Sequence, residues 1–131
     1  VSTAVLLSIK PEFANAIFSG DKTFEFRKAV FKDKTVKKIY VYASAPISKV
    51  IGTFDVDEII ERAPATLWEE TNLGAGITED YFWEYFAGRN LGYAIRVEKT
   101  QLFEEPQELH AMFGIRHPPQ SFRYVPHNEY G

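Results

Sequence analysis

The sequence predicts an α+β fold, a small mixed barrel of about five to six strands with flanking helices. Three observations lead there. The elements read in the order β-α-β-β-β-α-α-β-α-β, without the regular strand-helix alternation of a doubly wound parallel sheet. Several strands follow one another across short turns. The 131 residues, 45% hydrophobic and 25% charged, make one domain, residues 1–131, able to bury a core without a disulfide or metal staple.

Residues 4–9 are a short apolar run, the pattern of a buried strand. Pro11 suits a first helical turn, and Phe13, Ala14, Ile17 and Phe18 recur at helical spacing until Gly20 closes the helix. Residues 22–27 alternate, with Phe24 and Phe26 to one side and Thr23, Glu25 and Arg27 to the other, as in a half-buried strand. A lysine-rich loop leads into residues 36–43, where Ile39, Val41 and Ala43 alternate with Lys38, Tyr40 and Tyr42. Pro46 marks a turn, and residues 49–60 form a long β-branched strand with Gly52 as a bulge or bend. Helical patterns cover residues 65–70 and 78–87; Thr78 caps the second, and Phe82, Trp83, Tyr85 and Phe86 give it a bulky buried face. Residues 91–103 read as a strand with Tyr93, Ile95 and Val97 on one face. Residues 106–113 read as a short helix stopped by Gly114, and residues 117–125 as an extended tail held by Pro118 and Pro119.

The formal net charge of −3 argues against non-specific avidity for nucleic acid, but it is unevenly spread. Residues 1–50 carry nine Lys or Arg against four Asp or Glu, a net of +5, whereas residues 51–131 carry six against fourteen, a net of −8. One reading is a basic face for nucleic acid or phosphate; the other is that Lys32, Lys34, Lys37 and Lys38 keep a loop and an edge strand solvated. No apolar run approaches the roughly 18 residues of a membrane span, and the opening residues lack the basic leader and cleavage pattern of a signal peptide. With no Cys there is no thiolate metal site and no cysteine nucleophile, and a reducing, cytoplasmic setting is expected.

Several chemistries find little support. His110, His117 and His127 all fall near the end of the chain without ligand spacing, so no metal site and no cofactor are expected. Gly74-Ala75-Gly76 lacks the further Gly and Lys of a phosphate loop, and no Gly-flanked serine elbow occurs. Asp55, Asp57, Glu58 and Glu61 are concentrated, but Asp55 and Asp57 read better as the solvated face of a strand.

The dense cluster is Gly20-Asp21-Lys22-Thr23-Phe24-Glu25-Phe26-Arg27-Lys28. Residues two apart on a strand are neighbours, so Glu25 and Arg27 can pair, with Lys22 at the strand mouth. Acceptor, forked donor and point cation together can read a base edge and neutralise a phosphate; the plainer reading is a surface ion pair worth little.

Gly20, Lys22, Glu25 and Arg27 spell G-x-K-x-x-E-x-R after an amphipathic helix, itself preceded by Leu6-Leu7-Ser8-Ile9-Lys10-Pro11. Together with Tyr40-Val41-Tyr42-Ala43-Ser44-Ala45-Pro46, Ile51-Gly52, Gly92-Tyr93-Ala94-Ile95 and Pro118-Pro119-Gln120-Ser121-Phe122-Arg123-Tyr124, this closely resembles the ASCH domain, a branch of the PUA-like superfamily, in its small prokaryotic stand-alone type. The resemblance covers nearly the whole chain. It implies a PUA-like mixed β-pseudobarrel with a cleft beside the first helix and second strand, binding RNA or a nucleotide-like ligand. The residues it points to are Gly20, Lys22, Glu25 and Arg27. Lys10 at the strand-to-helix corner, Tyr42 and Ser44 on the neighbouring strand, and Tyr93 and Ser121 are added to them. Tyr42 and Tyr93 have the alternative of filling the barrel.

The resemblance also raises catalysis. Some small ASCH proteins are N-acylcytidine amidohydrolases, with a threonine nucleophile three residues after the lysine, and others are reported as nucleases. Here that position is Glu25, and Thr23 falls on the other strand face from Lys22. An enzymatic role therefore rests on Lys22 and Glu25, with hydrolysis of a modified nucleoside or of RNA as the alternative to binding. A third class is a ligand-sensing module working with a DNA-binding or regulatory partner domain.

Overall fold

The computed structural model describes residues 2–127. The apolar run near the start forms β1 (Ser2–Ile9), an interior strand of the sheet. It turns at once into α1 (Pro11–Ser19), where Pro11 occupies the first turn and loses no helical hydrogen bond, and Gly20 at φ 89° ends the helix. Then come β2 (Phe24–Arg27), β3 (Lys38–Ala43) and β4 (Lys49–Arg62). An excursion follows, made of α2 (Pro64–Thr71), a 3-10 turn (Asn72–Gly74) and α3 (Glu79–Tyr85). The chain closes with β5 (Gly92–Gln107), α4 (Leu109–Phe113) and β6 (Phe122–His127). This is the order the sequence predicts, and the class is α+β.

The six strands form one mixed sheet in the order β2-β5-β4-β3-β1-β6. Only β1 and β3 run parallel; the other pairs are antiparallel. The terminal strands β2 and β6 share no backbone ladder, so the barrel is a pseudobarrel with an open seam. Register shifts between Val50 and Gly52 place the predicted irregularity at Gly52.

Two local readings are corrected. Residues 106–113 are not one helix: Pro106 belongs to β5 and only residues 109–113 are helical. The reason is that β2 pairs with β5 only over Tyr93–Arg96, so the far half of β5 has an edge without a ladder, where a missing N–H is tolerated. Trp83 is not buried with its helix but 41% exposed, its indole N–H donating to Glu79 one turn back at 3.1 Å.

Strand alternation sorts the apolar side chains into three clusters. Val5, Leu7, Ile39, Val41, Phe54 and Ile95 fill the barrel, and α1 plugs it with Ala14 and Ile17. On the outside, Phe24, Phe26 and Ile60 pack against Leu67, Phe82 and Phe86 of the helical excursion. Leu6, Tyr42 and Val50 pack under Leu109 of α4. Each fully buried phenylalanine, such as Phe54 or Phe82, stabilises by about 1.5–3 kcal/mol, so the excursion is held firmly beside the seam. Among the described residues no helix is long and apolar enough to cross a membrane.

Candidate functional site

The site is assembled where α1, β2, the ends of β1 and β3, and α3 meet. After the Gly20 cap the chain reverses, the Lys22 N–H donating to the Ala16 carbonyl at 3.0 Å and the Thr23 N–H to the Gly74 carbonyl at 2.9 Å. Lys22 is thereby drawn under the excursion. Its side chain is 2% exposed, Nζ donates to the Ala75 carbonyl at 2.8 Å, and the ammonium lies 4.8 Å from the Phe26 ring centre and 5.5 Å from that of Phe13. Burial holds its pKa below the ordinary 10.5, and the Glu25 charge opposes that shift.

Glu25 and Arg27 project from the same face of β2. The Arg27 Nη1 donates to Glu25 Oε2 at 3.2 Å, with the two side chains 11% and 7% exposed, so this is a largely desolvated pair and not a loose surface contact. Arg27 also donates through Nη1 to the Ser8 carbonyl at 3.3 Å and through Nη2 to the Ser121 hydroxyl at 2.7 Å. The Ser8 hydroxyl in turn donates to the Pro119 carbonyl at 2.6 Å. One guanidinium therefore spans the open seam, joining β2 to β1 and to the segment entering β6.

Lys10, Lys22, Glu25, Arg27 and Ser44 line one open cavity of about 310 Å³. Ser121 does not line the cavity; its hydroxyl accepts from Arg27, and its carbonyl accepts the Ser8 N–H at 3.2 Å. The structure does not bring Tyr42 or Tyr93 to it. Tyr42 points out of the barrel, because Val41 and Ala43 take the inner positions of β3, and it is buried against Val50 and Leu109. Tyr93 lines a separate cavity of about 480 Å³ with Lys34, Lys37 and Glu58, and the neighbouring Glu61 carboxylate raises its phenol above the ordinary 10. The reading of these two tyrosines as cleft residues is corrected on this geometry.

Sequence reasoning missed the aromatic wall. Phe13, Tyr81 and Tyr85 line the cavity, with Ser8, Ile77 and Gln120 completing it. Phe13 and Tyr81 meet edge to face at 5.2 Å. Burial raises the Tyr85 phenol, with Arg27 opposing and Glu25 reinforcing the shift. The signal was present: Tyr81 and Tyr85 stand four apart on one stripe of α3, while Phe82 and Phe86 form the buried stripe beside it. The basic first half of the chain does not make one face, since Lys38 pairs with Asp55, Lys49 with Glu108, and Lys32, Lys34 and Lys37 share a cavity with Asp57, Glu58 and Glu61. Among the described residues no three His, Asp or Glu side chains converge as metal ligands.

Known proteins supply an independent comparison. The ASCH domain model matches residues 7–108, which include every residue lining the cavity except Gln120. An ASCH domain-containing ribonuclease of Zymomonas mobilis is 31% identical over 125 residues, covering 92% of this chain and 82% of that protein. The crystal structure of ASCH from Zymomonas mobilis superposes with a TM-score of 0.86 at 30% identity, covering 94% of this chain and 87% of that one. The N-terminal domain of Staphylothermus marinus McrB, at 14% identity and a TM-score of 0.54, shares the fold alone. By sequence over most of its length, and by the architecture that carries its cavity, the chain belongs to the ASCH domain family.

Proposed function

We propose that the protein acts on RNA, holding an unpaired nucleotide in the cavity at the seam. The observation that carries this reading is the convergence of Lys22, Glu25 and Arg27 beside Tyr81 and Tyr85 on one open hollow. A carboxylate accepts from exocyclic amines and ring N–H groups, a guanidinium donates to carbonyl or phosphate oxygens, and tyrosine rings stack on bases of any sequence. The ribonuclease named among the relatives supports RNA as the ligand class. The test is titration of single-stranded RNA with the parent, Lys22→Ala and Arg27→Ala at several salt concentrations. Loss of affinity in both variants, with the fold intact by circular dichroism, is expected; unchanged binding overturns the proposal.

A second reading, cleavage of RNA at this site, is favoured by that relative's name and by the state of Lys22. Glu25 takes the proton of a ribose 2′-hydroxyl, whose oxygen attacks the adjacent phosphorus. The bond to the 5′-oxygen breaks, leaving a 2′,3′-cyclic phosphate, and the departing oxygen takes a proton from Lys22. A lowered pKa makes that ammonium a better acid, and Arg27 balances charge on the phosphorane. Glu25→Gln abolishes turnover under this reading while leaving the fold intact. Amide hydrolysis of an acylated nucleoside has less behind it: the Thr23 hydroxyl donates to the Gly74 carbonyl at 3.3 Å and does not line the cavity.

A further inference from the structure

A repeated unit stands at the cavity, built on two tyrosines of its wall; Lys10 lines the cavity too, and Lys28 reaches it through Tyr85. Lys10 Nζ lies 5.7 Å from the ring centre of Tyr81 and 3.3 Å from its hydroxyl. Lys28 Nζ lies 4.8 Å from the ring centre of Tyr85. The two tyrosines are nearly parallel, 12° apart in plane with centres 6.5 Å apart. Both lysines are exposed, and among the described residues neither forms an ion pair, unlike Lys38, Lys49, Arg62 and Arg96, which do. They come from different elements: Lys10 from the corner between β1 and α1, Lys28 from just beyond the end of β2.

We propose that Lys10 with Tyr81 and Lys28 with Tyr85 are two phosphate-and-stacking stations at the cavity, so that the ligand is a single-stranded RNA segment that runs on past it and not a free nucleoside. The inference rests on the reading of the cavity as an RNA site. Each station offers an uncompensated ammonium for a backbone phosphate and an aromatic face for a sugar or base, the combination that single-strand binders use. A lone nucleotide in the cavity needs one phosphate contact at most, and Arg27 already supplies a cation there. Two further unpaired cations, each set over its own tyrosine of the cavity wall, are explained by a chain that runs on past the cavity. Helix geometry also gives the track a side. Asp80 and Glu84 form the stripe of α3 next to the tyrosines, about 100° further round, and repel a backbone that strays from the lysine side.

The experiment compares mixed-sequence RNA of about six nucleotides with the four nucleoside monophosphates, for the parent, Lys10→Gln, Lys28→Gln and the double variant, at several salt concentrations. The expected result is that the parent binds the oligonucleotide at least about tenfold more tightly than any monophosphate. Each substitution lowers the slope of log affinity against log salt by about 0.7, and the double variant by about 1.4. Equal affinity for oligonucleotide and monophosphate, or an unchanged slope in the double variant, overturns the proposal. Arg27→Ala separates the two readings. If monophosphates fail to bind the parent while oligonucleotide binding keeps its dependence on both lysines and ignores Arg27, the stations stand and the cavity reading falls. If the parent binds neither ligand, both fall.

Discussion

The Arg27 guanidinium meets the Ser121 hydroxyl at 2.7 Å across the gap between β2 and β6, which no backbone ladder bridges among the described residues. Ninety-four positions separate the two residues, and the strands they serve stand at opposite ends of the sheet. The same side chain holds Glu25 at 3.2 Å, so the seam and the proposed ligand site share a residue.

Removing Arg27 should therefore cost more than a surface ion pair. Arg27→Ala strands a nearly buried carboxylate and unties the seam, with an expected loss of about 3–5 kcal/mol. Adding Glu25→Gln to that variant recovers part of the loss, because the stranded charge is gone. Urea denaturation of the two single variants and the double variant measures this as a coupling energy; strict additivity would contradict the geometry.

Lys22 gives the protein a specific pH signature. Its folded-state pKa lies below 10.5, so between that lowered value and 10.5 the unfolded chain binds the extra proton. The cost of the buried charge is complete below the folded-state pKa and is relieved as pH rises through it. Relative to Lys22→Met, the parent gains stability as pH climbs from neutral toward 10.5. Denaturation curves across that range check the sign, and a parent that loses stability relative to the variant would refute it.

The close fit over Lys22 can be tested from the other side. Gly76 adopts φ +65°, and a Cβ there would fall on the Cβ and Cγ of Lys22. Gly88 adopts a comparable φ of +77° with nothing within 4 Å of a Cβ. Both alanine variants bear left-handed backbone strain of about 1–2 kcal/mol, but Gly76→Ala adds an overpacking cost of about 1–3 kcal/mol. Thermal denaturation should rank Gly76→Ala well below Gly88→Ala.

The aromatic wall predicts a graded effect on binding. Tyr81→Ala and Tyr85→Ala each weaken single-stranded RNA binding by about 1–3 kcal/mol, whereas the phenylalanine variants keep most of the affinity. Equal losses for Ala and Phe would mean that the hydroxyls, not the rings, carry the contact. Fluorescence anisotropy titrations distinguish the two outcomes.

Much of this architecture is legible along the chain because its punctuation is local. Pro11 and Gly20 bracket α1, Thr78 caps α3 with its side chain accepting the Tyr81 N–H, and alternation places Glu25 and Arg27 together opposite Phe24 and Phe26. What was illegible depends on distant segments. A lysine after a Gly-Asp turn reads as exposed, and Lys22 is buried only because residues 74–76 fold over it. Tyr42 looks like a site residue beside Ser44, yet α4 arrives to cover its face of β3. Tyr93 sits directly opposite Arg27 in the ladder, but its ring leans toward Glu61 and the other cavity. Pro106 signals a helix start until the missing neighbour beside β5 is known.

The antiparallel zipper between β1 and β6 pairs residues more than a hundred positions apart, Ser2 with His127 through Leu7 with Phe122. During synthesis the earlier strands and α1 emerge and can collapse long before Ser121 leaves the ribosome. Contacts of such long sequence separation form late. A nascent chain therefore holds much of its core while the seam is still unlatched, and the cavity takes its final form only once residues 121–127 have been made and docked on β1.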